Sequence, residues 1–113
     1  MIYKTFDVIV VPFPFTDKLY SKRRPALVIS SEPKFNKPSG CTVCAMITSA
    51  NQDPWPLDVP LSDLSAAGLA KACCVRMKLF TLDNSLILTQ IGKLSFVDQK
   101  STRLAFKKLL SDL

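Results

Sequence analysis

Residues 16–30 read TDKLYSKRRPALVIS, and the junction at Pro25 governs how the chain is to be read. Beyond it, residues 26–29 are an unbroken apolar run, the mark of a strand buried on both faces. Before it stand Lys22, Arg23 and Arg24. Proline cannot donate to a ladder but is tolerated at the start of a strand, so the reading makes residues 14–24 a loop and Pro25 the strand's first residue. A buried strand that opens beside arginines holds charge at a fixed place on a rigid support, as binding and catalytic sites require.

The pattern extends outward from there. Upstream, residues 6–11 are rich in Val and Ile and predict a strand ended by Pro12 and Pro14. Downstream, residues 32–40 carry Pro33, Pro38 and Gly40 and predict a polar loop; residues 41–48 predict a third strand, and a turn-rich link leads to a short fourth at 57–61. Residues 64–69 allow one helical turn before Gly68 stops it. Residues 72–82 and 86–94 predict further strands around a turn at Asp83 and Asn84. Ser95 and Asp98 form a capping pattern, so a helix is expected from about Val97. Phe106, Leu109, Leu110 and Leu113 recur at helical spacing as its core face, and Lys100, Arg103 and Lys107 on the opposite side read as a solvated face in preference to an RNA-facing stripe. Short strands closed by one helix describe a mainly β or α+β protein, a small curved barrel or two-layer structure with the helix over an open end. No crossover helix separates the strands, which excludes a parallel βαβ fold.

At 113 residues the chain is expected to form one domain over 1–113. No signal peptide or membrane span is read in it, and a cytoplasmic location is expected. The net charge of +6 favours an anionic partner, through release of condensed counterions. That charge is uneven: residues 41–70 hold no Lys or Arg, and the two flanking segments hold all 15. Cys41, Cys44, Cys73 and Cys74 invite a zinc reading, but side chains three apart or adjacent on a strand point to opposite faces, so reduced core cysteines are expected and no metal site.

The chain has no histidine, which removes the side chain most used for acid–base work near neutrality and excludes Ser-His-Asp and Cys-His nucleophile systems. Glycine stands only at positions 40, 68 and 92, so neither a phosphate-binding loop nor a dinucleotide fingerprint is possible. What remains is electrostatic catalysis: arginine donors aimed at a phosphate whose charge grows in the transition state, with a hydroxyl alongside. Arg24 and Thr48, each at a strand–loop boundary, are the natural pair.

The segments DVIVVPFPFTD, RRPALVIS, AMITSA, VRMKLFTLD and IGKLS, in this order from Asp7 to Ser95, resemble the MazF/PemK toxins of type II toxin–antitoxin systems. The resemblance implies an SH3-like barrel of the CcdB/PemK kind with a C-terminal helix, a homodimer, and cofactor-free, metal-independent cleavage of single-stranded RNA. It also implies a cognate MazE-like antitoxin with an acidic disordered tail. By the same resemblance Arg24 is catalytic and Thr48 its partner, and the first loop contacts RNA through Thr16, Asp17, Lys18, Lys22 and Arg23. The attacking group would be the RNA's own 2′-hydroxyl, with Asp17 a candidate to accept its proton. Arg76 and Lys78 face either RNA or water. Two departures stand out: Phe6 occupies the place where the family usually has glycine, and the first loop lacks a glycine. The competing readings are a CcdB-like protein that binds DNA gyrase and cuts nothing, and an RNA-binding relative without catalysis.

Overall fold

The computed structural model describes residues 1–13, 22–51 and 53–113. Six strands form one antiparallel sheet: β1 (Asp7–Phe13), β2 (Lys22–Val28), β3 (Cys41–Ser49), β4 (Val59–Pro60), β5 (Cys73–Asp83) and β6 (Thr89–Lys93), in the order β4-β5-β3-β2-β1-β6. The sheet curls into a half-barrel with β4 and β6 as its edges. Three α-helical pieces accompany it among the described residues, α1 (Lys37–Ser39), α2 (Leu64–Ala67) and the C-terminal α3 (Phe96–Leu109), besides single helical turns at Glu32–Asn36 and Asn84–Leu86. This is the mainly β architecture with a closing helix that the pattern of strands predicts. Among the described residues, no helix is long and apolar enough to cross a membrane.

The central strands are buried on both faces, as the apolar run in β2 requires. One face carries Val8, Leu27, Ala45, Ile47 and Val75, covered by Ala67 of α2 and Ala105 of α3. The other gathers Tyr3, Ile9, Val11, Ala26, Val28, Cys44 and Leu82. Burial pushes the Cys44 thiol up to about 12. All four cysteines are free, with Cys44 and Cys74 buried and Cys41 and Cys73 half-buried.

Several boundaries differ from the sequence reading. β1 runs through Pro12 to Phe13, because beyond Val10 its only bonded neighbour is β2 and a missing N–H can face the unpaired side. β2 starts at Lys22, so Pro25 lies inside it opposite Val10, just where the ladder to β3 ends at Ala26 and Met46. Residues 32–40 wind into a wide helical turn (Glu32–Asn36) and α1, anchored by a buried Asn36 whose amide donates to the carbonyls of Tyr3 at 3.1 Å and Ser30 at 3.2 Å. The reading of α3 requires correction at its core face: Leu110 is 52% exposed and Leu113 fully so, while Asp98, Thr102 and Ala105 are the buried residues. The helix docks through its N-terminal turns, so its C-terminal leucines overhang the sheet.

α2 and β6 touch backbone to backbone. A Cβ on Gly68, which also has φ +73°, would fall 2.0 Å from the Ile91 carbonyl oxygen, and one on Gly92 would fall 2.4 Å from the Ala67 carbonyl carbon. Only glycine permits this approach from both sides.

Candidate functional site

Paired residues of an antiparallel ladder share a face, so the register shows which side chains meet. Arg24 pairs with Val11 and Lys22 with Phe13. Since Val11 and Ile9 lie on the same face as Ala26 and Cys44, alternation carries Phe13, Lys22 and Arg24 onto that face, where the core gives out to solvent. Arg23 pairs with Pro12 and points to the opposite side. The Arg24 guanidinium lies 5.8 Å from the centre of the Phe13 ring, which steadies an otherwise exposed side chain.

Thr48 reaches the same place from β3. The bonded pairs are Leu27 with Ala45 and Ala26 with Met46; carried two residues further, that register sets Arg24 opposite Thr48. Thr48 is half-buried and bonded on its other side to Cys74 of β5. Residues 24 positions apart in the chain are thus carried to one face, beyond the point where the bonded ladder of β2 and β3 ends. Thr16, Asp17 and Lys18 lie outside the described residues.

Arg76 is not the RNA- or water-facing residue that the sequence suggested. It is 8% exposed; its Nε donates to Asp58 Oδ1 at 3.1 Å, and its Nη2 donates to Asp58 Oδ2 at 3.0 Å and to the Asp53 carbonyl at 2.8 Å. The forked hydrogen bond from Arg76 holds the Asp58 carboxyl below the usual carboxylate range. Burial, and after it the Asp58 charge, push the Cys74 thiol up, and burial does the same for Cys73, so neither supplies a ready thiolate.

The sequence reading overlooked Trp55. The chain's single tryptophan sits between Pro54 and Pro56 and is 43% exposed. The Lys78 ammonium lies 4.5 Å from its ring centre and the Arg76 guanidinium 5.8 Å. Asp58 also holds the loop itself: its Oδ2 accepts from the Trp55 amide at 3.0 Å, and its own amide donates to the Trp55 carbonyl at 3.1 Å. An indole flanked by prolines in a polar loop was the available signal.

The family model described as PemK-like, MazF-like toxin of type II toxin–antitoxin system matches residues 4–110. Among solved structures, the chain is similar to one of the MazE–MazF complex (Form III) from Deinococcus radiodurans, with 20% identity, a TM-score of 0.76 and 98% of each chain covered. It is similar to an endoribonuclease in complex with its cognate antitoxin from a mycobacterial species, with 14% identity, a TM-score of 0.73 and coverage of 97% of this chain and 94% of that one. The Mycobacterium tuberculosis toxin MazF-mt6 gives 19%, 0.72, and 93% and 96%. At such identities the structural likeness carries the fold alone. No curated protein matches the chain in sequence. The family match spans every strand and the closing helix, and the fold is the one these structures share: the chain belongs to the PemK-like, MazF-like toxins of type II toxin–antitoxin systems.

Proposed function

We propose that the protein is a metal-independent endoribonuclease that cuts single-stranded RNA and is neutralised by an antitoxin. What supports this reading is the register that carries Arg24 and Thr48 to one face of the sheet, with Lys22 and Phe13 on that face. In the proposed reaction the 2′-oxygen of the RNA attacks the adjacent phosphorus and the P–O5′ bond breaks. A 2′,3′-cyclic phosphate and a 5′-hydroxyl end result, and the proton lost at the 2′-oxygen is balanced by one gained at O5′. The Arg24 fork and the Thr48 hydroxyl donate to the non-bridging oxygens as charge builds on them. A guanidinium, charged at every accessible pH, suits that task and not that of a base. This accounts for cleavage by a chain without histidine.

The antitoxin partner and the homodimer are part of the same proposal. Solved relatives are described as MazE–MazF complexes and as an endoribonuclease with its cognate antitoxin. An acidic, initially disordered tail folding against Lys22 and Arg24 would compete with RNA for the same cations.

The test is incubation with mixed-sequence single-stranded RNA in EDTA, with mapping of the product ends. Cleavage is expected to persist and to leave 5′-hydroxyl and cyclic phosphate termini. Arg24→Ala is expected to lower kcat by about 10²–10³-fold, the usual cost of losing one preorganised donor, with an unchanged circular dichroism spectrum. Cleavage that vanishes in EDTA and returns with magnesium would contradict the proposal. One observation favours a second reading, a CcdB-like protein acting on DNA gyrase by contact: the C-terminal Leu110 and Leu113 are exposed and free to engage a partner. Wild-type protein that binds DNA gyrase and leaves single-stranded RNA uncut would support it.

A further inference from the structure

We infer that Trp55 is a stacking platform for an unpaired nucleobase of the RNA strand whose phosphate lies at Arg24 and Thr48. This inference rests on the nuclease reading and adds a base-binding subsite to it. Three observations carry it. The first is the ring's setting: an indole 43% exposed, with the Lys78 and Arg76 cations drawn up to it at 4.5 and 5.8 Å. Sequence-tolerant capture of single strands uses this combination, an aromatic face for the base and a cation for the neighbouring phosphate, here the exposed Lys78, while Arg76 is committed to Asp58.

The second is preorganisation. Asp58 binds the Trp55 amide, the Trp55 carbonyl and the Arg76 fork together. Leu57, next in the loop, holds φ +66°, a left-handed conformation costly for a branched side chain. Backbone strain of this kind persists where surrounding bonds enforce it and gathers at binding sites.

The third is placement. Arg76 pairs with Met46 and Met46 with Ala26, so the Trp55 support lies on the row next to the one that holds Thr48 and Arg24. Two strand spacings across and two residues along amount to about 12 Å. That figure is the separation of the Arg76 and Arg24 strand positions, and single-strand sites of about 4–16 nucleotides cover a separation of this order. A cavity of about 180 Å³, lined by Ala50, Pro54, Asp58, Pro60, Cys74 and Arg76, opens beside the loop.

Because Trp55 is the only tryptophan, its fluorescence reports on this subsite alone. The experiment uses the full chain and labelled single-stranded oligonucleotides of mixed sequence with 2′-O-methyl ribose, which the proposed reaction cannot cut. Affinity is read by anisotropy and the ring by its emission. The oligonucleotide is expected to quench the indole, and inorganic polyphosphate, which offers charge without bases, is expected to bind without quenching. Trp55→Ala is expected to weaken oligonucleotide binding about tenfold, Trp55→Phe less, and neither to change polyphosphate binding. An emission unmoved by bound oligonucleotide, wild-type affinity in Trp55→Ala, no oligonucleotide binding at all, or quenching by an acidic peptide in place of RNA would each overturn the inference. The two readings fail separately: quenching by an oligonucleotide whose unmodified counterpart is never cut supports the platform and removes the nuclease, while cleavage with a silent Trp55 does the reverse.

Discussion

Phe6 holds φ +75°, in the region where a side chain collides with its own backbone and glycine does not. Its amide donates to the Val28 carbonyl at 2.8 Å, its carbonyl accepts from the Leu94 amide at 3.1 Å, and the Arg103 guanidinium lies 5.4 Å from its ring. The strained residue therefore joins β1, β2 and the start of α3, and the ring gains packing against the core that glycine forgoes. Truncation should reverse the usual order of severity. Phe6→Ala keeps the strain and loses the ring, for about 2–3 kcal/mol, whereas Phe6→Gly loses the ring and recovers about 1 kcal/mol of backbone strain. Urea denaturation of the two variants checks this: Gly should be the more stable, and an Ala variant at or above it would show that the ring alone matters. That glycine usually stands here came from the family resemblance; what a phenylalanine ring meets at this turn, the core and Arg103 from 97 positions away, is invisible to any local pattern.

At the level of elements, α3 shows what local signals do and do not carry. Its start was legible, because Ser95 accepts from the Asp98 amide at 3.3 Å as a capping residue should. The face it buries was not, because that was decided by one carboxylate. Asp98 is 1% exposed and accepts from the Ser62 amide at 3.0 Å, the Ser62 hydroxyl at 2.8 Å and the Asp63 amide at 3.0 Å, pinning the helix to the turn before α2. Burial by itself would raise its carboxyl, but these donors outweigh burial and lower it. A depressed folded value means stability that is present above the ordinary carboxylate range, near pH 4, and is lost as pH falls through the folded value. Asp98→Asn should cost about 2 kcal/mol at pH 7, since an amide turns N–H groups toward N–H groups, and should flatten the loss of stability below pH 4. Unfolding curves at pH 7 and pH 3 test both parts; equal destabilisation at the two pH values would contradict the linkage. The apolar spacing of Phe106, Leu109 and Leu110 was real, but hydrophobic periodicity reports a stripe without saying what covers it.

Across the whole molecule, the sheet turns sequence distance into adjacency. β6 pairs with β1, drawing the two basic segments together, and the acidic middle segment sends Asp58 to Arg76. Lys22, Arg23 and Arg24 remain exposed. The strands and the curl of the sheet could be read from β-branched runs and turn residues. That Arg24 and Thr48 share a face follows only from register, which no composition or spacing reveals. At the centre of this sheet sits the Cys44 sulfur, with no exposed surface, flanked by Val28 on one strand and Phe80 on the other, and with its ionisation pushed to about pH 12. Such a sulfur is a clock. A maleimide in mildly alkaline buffer can reach the half-buried Cys41 in the folded chain, but it can meet Cys44 only after β3 has left its neighbours. The labelling rate of Cys44, followed by mass spectrometry of the cleaved peptides, is therefore expected to follow opening of the whole sheet, orders of magnitude slower than that of Cys41. Its change when an antitoxin peptide is added would measure how far that partner keeps the toxin closed.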